Sequence, residues 1–394
     1  MLIETISLAL GSALALVLIY YYVLAVASLW PSRKSKRLAS EAGCKTRFVV
    51  IVPAHNEERF LGRTLRSLSE LDYPHDHFRT IVVAHNCTDH TEEIARSTPV
   101  ECWVYSDPSR RGKGHALQWA FARVLDLDCA DVFVVIDADT VSDSQLLRVL
   151  DSYFTCGSKA VQAYHDVLQP ESTPMASLTY LGYALSRHFK YPGRVLLGSS
   201  ANLLGSGMAF SRHVIEEHGW NALSISEDSE YQIQLYMSGI KIEFASRARV
   251  ASEIPTRMHA YHTQQKRWNV GRYRLRRTYV PALLGKAIRD RDGGALHLIA
   301  DLFVPSYTIL GGLVYAGWIA QALLAPMPGS ASILWHAVGV SFSLYVIAGL
   351  VVAKASPRVC ANLAFAPIFL ISRLAIATAG SRGSEPAWTR SERS

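Results

Sequence analysis

Two carboxylates separated by one residue, Asp137 and Asp139, close the apolar run Val132-Phe133-Val134-Val135-Ile136. Such a run bounded by polar residues reads as a buried strand. On extended backbone, residues i and i+2 point the same way, so both acids leave the carboxyl end of a sheet together. Open α/β sheets bind ligands at that edge. Hard oxygen donors there suit Mg²⁺ or Mn²⁺ bridging to a diphosphate. Taken alone, the pair reads more readily as a turn whose aspartates cap the next segment.

Six other groups flank the pair. Pro53-Ala54-His55-Asn56-Glu57-Glu58 ends one strand and opens a helix, offering backbone N–H groups to a nucleotide; capping by Asn56 is the equal alternative. Ala84-His85-Asn86-Cys87-Thr88-Asp89 repeats that arrangement after a second strand, with Asp89 suited to cap a helix. Arg110-Arg111-Gly112-Lys113-Gly114 precedes a helix and pairs close-approach glycines with a cation, although its spacing is not that of a P-loop. Gly205-Ser206-Gly207 marks a bend or a close backbone approach. Glu227 and Asp228 start an amphipathic helix, where Asp228 serves either as a cap or as a general base. Finally, Gln264-Gln265-Lys266-Arg267-Trp268 offers a cation for a leaving diphosphate and an aromatic ring for a sugar, or an interfacial tryptophan anchor.

The elements that must position these groups alternate. Strands are expected at 47–52, 80–84, 101–105 and 132–136, with helices at 57–70, 91–96 and 114–125. Apolar, unalternating strands between helices imply a mostly parallel sheet covered on both faces.

The chain has 394 residues, 49% of them apolar, and a mean hydropathy of +0.13. The excess lies at the ends. Residues 6–30 carry no charge and are long enough to span a bilayer. Arg33-Lys34-Ser35-Lys36-Arg37 follows and assigns that end, and the domain after it, to the cytoplasm. Residues 296–325 and 333–353 are two further candidate spans. The run 361–379, broken by Pro367 and Arg373, reads as an interfacial helix, giving three spans, or four if it crosses. The net charge of +7 matches contact with anionic membrane lipids. No basic stripe with interleaved aromatics points to nucleic acid. The six cysteines show no metal-ligand spacing, and five fall in or beside the domain assigned to the reducing cytoplasm.

The ordered set Pro-x-His-Asn-Glu, Asn-Cys-Thr-Asp, Asp-x-Asp, Glu-Asp and Gln-x-x-Arg-Trp resembles the membrane-bound family 2 glycosyltransferases. These include the cellulose, chitin and hyaluronan synthase type and the ceramide glucosyltransferases. The resemblance spans roughly residues 47–275. It implies a GT-A fold, α/β with transmembrane helices at both ends, and inverting transfer from a nucleotide-sugar, a UDP-sugar first, to a glycan or lipid acceptor. A polysaccharide product is expected first and a single transfer to lipid second; a non-catalytic nucleotide-sugar scaffold is the alternative of another class.

The resemblance also implies roles. Pro53, Ala54, Glu57, His85, Asp89, Lys113, Asp137 and Arg267 would bind the donor. Asp139, with Asp137, would hold Mg²⁺ or Mn²⁺. Gly205, Ser206, Gly207, Gln264 and Trp268 would meet the acceptor, and Asp228 with Glu227 would be catalytic. The chain departs from the pattern after the second strand, where an aspartate is common and Ala84-His85 stand instead. The implied divisions are an anchor (1–32), a basic linker (33–45), a catalytic domain (46–252), an interfacial segment (253–294) and apolar helices (295–394), in an integral protein of the inner membrane with its catalytic domain cytoplasmic.

Overall fold

The computed structural model describes residues 2–30, 43–127, 130–254, 258–324 and 329–366. The cluster at 33–37, Cys129 and everything after 366 lie outside them. One eight-stranded sheet organises the chain: β1 (Phe48–Ala54), β2 (Phe78–His85), β3 (Glu101–Tyr105), β4 (Val132–Val135), β5 (Thr140–Ser142), β6 (Ala160–Val167), β7 (Met208–Ser211) and β8 (Ile242–Ser252). Its order is β3-β2-β1-β4-β7-β6-β8-β5. β3, β2, β1 and β4 run parallel, as the apolar strands imply. β7 lies antiparallel between β4 and β6, and β5 antiparallel on β8, so the sheet is mixed. The chain runs outward from β1 through β2 to β3 and then crosses back to β4 on the other side of β1, and a crevice opens at the carboxyl ends of these strands.

The helices, in chain order, are α1 (Leu2–Ser28), α2 (Leu61–Ser69), α3 (Thr91–Arg96), α4 (Lys113–Leu125), α5 (Leu146–Thr155), α6 (Pro174–Leu185), α7 (Tyr191–Leu196), α8 (Arg212–His218), α9 (Glu227–Met237), α10 (Met258–Arg289), α11 (Gly293–Phe303), α12 (Tyr307–Leu324), α13 (Ser330–Val352) and α14 (Pro357–Asn362). Apolar side chains from both faces of the sheet form two buried cores. One gathers Ile51, Leu117, Phe121 and Phe133; the other gathers Val50, Leu61, Leu65, Val134 and Leu147. The expected capping by Asn56 does not occur. Asn56 adopts φ +56°, which asparagine tolerates, and its side-chain oxygen accepts from Thr88 N at 2.7 Å. The loops after β1 and β2 are thereby tied together.

Glu4–Ser28 and Ser330–Val352 are long and apolar enough to cross a membrane. The expected span at 296–325 is built of two helices, α11 and α12, which are long and apolar enough together but bent by 69° at the break, as in a broken span or a re-entrant loop. Pro305 sits in that break; it lacks an N–H and pushes the preceding residue out of helical geometry. α1 also docks on the insertion between β6 and β7. At Gly193 of α7 an added Cβ would collide with the Leu24 carbonyl, so the two helices touch backbone to backbone. Gly193→Val should therefore cost about 1–3 kcal/mol through overpacking, read as a lowered thermal midpoint of the purified protein. An unchanged midpoint would mean that α1 is not seated on α7.

Candidate active site

The carboxyl ends of β1, β2 and β4 open into a cavity of about 860 Å³. Pro53, Ala54, Glu57 and His85 line one wall. Lys113, Asp137, Asp139, Gly205, Glu227 and Asp228 line the centre, and Gln264, Arg267 and Trp268 line the opposite side. Segments more than 200 residues apart in sequence thus share one crevice.

At its centre Lys113, the first residue of α4, donates to Asp137 Oδ1 and, at 2.5 Å, to the Gly205 carbonyl. Gly205 takes φ +80°, and a Cβ there would stand 3.3 Å from Lys113 Nζ, 3.5 Å from Asp137 Oδ2 and 3.8 Å from Asp228 Oδ2. One cation and two carboxylates from three elements therefore surround a single point. Burial depresses the Lys113 ammonium, but Asp137, Glu227 and Asp228 outweigh it and hold its pKa above the ordinary lysine value. Burial, then the adjacent Asp228 charge, pushes Glu227 up to about 7. Burial also raises Asp228, partly offset by the Ser229 amide, which donates to it at 2.6 Å. Burial pulls the Arg267 guanidinium down while these two acids pull it back.

Behind the aspartates runs a polar network. Asp137 N donates to Ser206 Oγ at 3.0 Å, and Ser206 Oγ to Thr140 Oγ1 at 3.1 Å. Thr140 Oγ1 reaches Asp139 Oδ1 at 3.4 Å and shares a 2.7 Å bond with Ser252 Oγ. Ser252 in turn meets His165 Nε2 at 2.8 Å. Burial holds His165 down to about 4, so it stays neutral at physiological pH. A buried polar network fixes orientation; this one holds the Asp139 carboxylate and the Asp137 backbone, while Lys113 holds the Asp137 side chain.

Three expected site residues stand outside the cavity walls. Asp89 accepts from Thr91 N at 3.0 Å and Glu58 N at 3.2 Å; it sits one residue before the cap position, which His90 occupies, so it is not the helix cap considered from sequence. Ser206 is fully buried and holds the Asp137 amide. Gly207, at φ +71°, is needed because a Cβ would stand 2.8 Å from the Ala163 Cβ. His85 does line the cavity, yet its Nε2 meets the Arg110 carbonyl at 2.8 Å and its ring stacks on Tyr105. The Gln-x-x-Arg-Trp helix α10 reaches the acids because Gly271 leaves room for Ser226 Oγ, just before α9. Sequence reasoning missed His165, Lys190, Arg272 and Asp301, all of which line the cavity. None sits in a motif; the absence of acids from 258 to 289 was the one available hint for Arg272.

A parallel-edged α/β sheet with acidic residues at the β4 terminus defines a nucleotide-diphosphate-sugar transferase of the GT-A fold. Residues 46–271 match the family model described as glycosyltransferase like family 2, and the chain belongs to that family: it is a glycosyltransferase. It is 28% identical over 231 residues to the probable glycosyltransferase YdaM of Bacillus subtilis, covering 56% of this chain and 54% of that one. To the beta-monoglucosyldiacylglycerol synthase of Synechocystis it is 27% identical over 228 residues, 57% and 47% of the two chains. To the hyaluronan synthase of Streptococcus pyogenes it is 23% identical over 240 residues, 57% and 56% of the two chains. The matches thus span about half the length of these relatives. Among solved structures, the mannosyltransferase PcManGT of Pyrobaculum calidifontis, in complex with GDP-Man and Mn²⁺, superposes with a TM-score of 0.53 at 21% identity, covering 88% of this chain and 97% of that one. That likeness speaks for the fold.

Removing the Lys113 cation leaves Asp137, Glu227 and Asp228 without their shared countercharge. Lys113→Met should cost on the order of 3 kcal/mol, the scale of a broken buried pair. The loss should be larger at pH about 8 than at about 6, because at lower pH the acids take up a proton and repel less. Thermal unfolding at both pH values checks this; an equal loss at the two would refute the electrostatic account.

Proposed function

We propose that the chain moves a single sugar from a nucleotide-diphosphate donor to a hydroxyl of a membrane-embedded lipid, with inversion at the anomeric carbon. The observation that carries this reading is the cavity's extent. One end holds the aspartates at the β4 terminus, and the other is walled by Tyr21 of α1, Leu298 of α11, the break at Val304, Pro305 and Ser306, and Tyr307 of α12. If α1 and α13 cross the bilayer, an acceptor entering from the lipid side reaches Asp228 without leaving the protein. The basic cluster at 33–37 assigns this face to the cytoplasm.

Asp228 takes the proton from the acceptor hydroxyl as its oxygen attacks the anomeric carbon from the side opposite the diphosphate. A raised carboxylate pKa suits a base working near neutrality. Lys113 and Arg267 place positive charge where the departing diphosphate gains negative charge, the kind of preorganised help that dominates many rate enhancements. Pro53, Ala54, Glu57 and His85 border the nucleotide, and Trp268 offers its ring to the acceptor. Among the described residues no three His, Cys, Asp or Glu side chains form a ready-made metal centre. The buried Asp139 carboxylate, with Asp137 beside it, still suits Mg²⁺ or Mn²⁺, which commonly bind one or two carboxylates plus substrate phosphates. Such an ion would supply charge neutralisation at the diphosphate.

The polysaccharide reading needs a lumen for the growing chain. Among the described residues α1, α12 and α13 close on a filled core of Leu18, Tyr21, Leu310, Val314, Val338 and Phe342, which favours the lipid acceptor. A relative named as a synthase of glucosylated diacylglycerol accords with it.

Asp228→Asn should lower transfer by roughly 10²–10⁴-fold while donor binding persists. Radiolabelled donor and chromatography of the lipid extract check both rate and product. Near-normal transfer would remove Asp228 as the base, and label confined to a water-soluble polymer would overturn the lipid reading. Base catalysis requires the deprotonated acid, so wild-type activity should fall as pH drops through about 7, where the Glu227–Asp228 pair takes up a proton. Glu227→Gln removes the neighbouring charge and should move that limb to lower pH; a limb that stays put would contradict the coupling.

A further inference from the structure

The cavity floor beyond Gly205 carries a second charged group that the transfer chemistry does not use. Lys190 donates to Asp301 Oδ1, and Asn202 Nδ2 donates to Asp301 Oδ2. Arg194, fully buried, donates to Asn202 Oδ1 at 2.7 Å and pairs with the same Asp301 carboxylate at 3.6 Å. One acid thus serves two buried cations. α10 adds two more. Arg276 Nε donates to the Leu302 carbonyl at 2.6 Å. Arg272 lines the cavity beside Lys190, and among the described residues no carboxylate pairs with it. Burial, reinforced by Arg194 and Arg272 against the pull of Asp301, keeps the Lys190 ammonium below its ordinary pKa. Of these four, Lys190 and Arg272 line the cavity while Arg194 and Arg276 stand behind its wall, and together they leave an excess over Asp301 whose desolvation an anion would offset.

We propose that Arg272 and Lys190 bind the phosphate of the acceptor lipid, so that the substrate is a phosphate-bearing lipid with its reacting hydroxyl one polyol or sugar unit away. This rests on the lipid reading above. Arg272 follows Arg267 by five residues on α10, about 7.5 Å along the axis at 1.5 Å per residue. Arg267 neighbours the Glu227–Asp228 pair, and Gly271, next to Arg272, abuts Ser226 two residues before Asp228, so a phosphate at Arg272 would lie about one small headgroup from Asp228. A planar guanidinium grips phosphate through two parallel hydrogen bonds, and a lysine adds a point charge. The surrounding wall, Leu302, Val304, Pro305 and Tyr307, is apolar enough to take the start of an acyl or prenyl chain.

The test uses the full chain in neutral-detergent micelles, titrated with dioctanoylphosphatidylglycerol, dioctanoylglycerol and inorganic phosphate, with retained ligand read by native mass spectrometry. Wild type should retain the phospholipid over both others. Arg272→Gln should weaken that retention roughly tenfold, the scale of one charge-assisted contact, and Arg272→Lys should recover most of it. Arg277→Gln, at an exposed position of the same helix outside the cavity, should leave it unchanged. Binding of UDP and GDP with Mn²⁺ should be equal in all four proteins, which also reports folding. Equal losses in the Arg272 and Arg277 variants, or inorganic phosphate held as well as the phospholipid, would overturn the proposal. So would loss of nucleotide binding in both Arg272 variants, which would assign the cation to the donor. Because the readout is binding, absence of any lipid product in the transfer assay would sink the functional reading while leaving this site standing.

Discussion

The contact on which the rest of the site depends is Lys113 held between Asp137 and the Gly205 carbonyl. It joins the start of α4, the end of β4 and the loop before β7, and it supplies the charge that lets Glu227 and Asp228 approach. Three carboxylates in one crevice would otherwise repel each other and shed their charge by protonation. With the lysine present, one pair stays poised near neutrality instead of being permanently protonated. The glycine is part of the same device, since any side chain at 205 would stand among these charged groups.

Much of this was legible because the residues that do chemistry at a sheet edge are tied to the strands preceding them. The apolar run before Asp137 and the two aspartates behave as one unit, and β3 begins and ends where the pattern puts it. The neighbouring errors share a cause. Asn56 was readable as a cap because its type is right for one, yet it bonds Thr88, 32 residues on. Ser206 was grouped with the acceptor loop by its glycine neighbours, but its hydroxyl faces inward to the Asp137 amide. Local pattern names what a residue is able to do; only the partner across the fold decides which option is taken. The 69° bend at Pro305 is the reverse case: the proline was visible, and hydropathy averaged over the run hid its effect.

What no pattern announced is the set His165, Lys190, Arg272 and Asp301. Each lies outside the motifs named above, where a solvated or satisfied side chain is the ordinary expectation. Their meaning arises from convergence. His165 reaches the aspartates through Ser252 and Thr140, a path that crosses β6, β8 and β5. Asp301 belongs to α11 yet holds Asn202, three residues before the glycine that anchors Lys113.

That last connection divides the cavity by origin. The side proposed for the donor is built from sheet termini, whose geometry follows from strand pairing and from the family 2 fold. The side proposed for the acceptor is built from α10, α11, α12 and the α6–α7 insertion, which pack on α1 and the apolar helices. Strand ends are held by ladders on both sides and tolerate little displacement, whereas a helix bent at Pro305 and tethered by Asp301 has fewer fixed partners. Differences in acceptor among enzymes of this fold are therefore best carried by the helical floor, and it is there that the proposed phospholipid acceptor would be told apart from a neutral one. On the proposed lipid reading a neutral floor would suit a neutral lipid, whereas Lys190 and Arg272 beside Asp301 favour an anionic one.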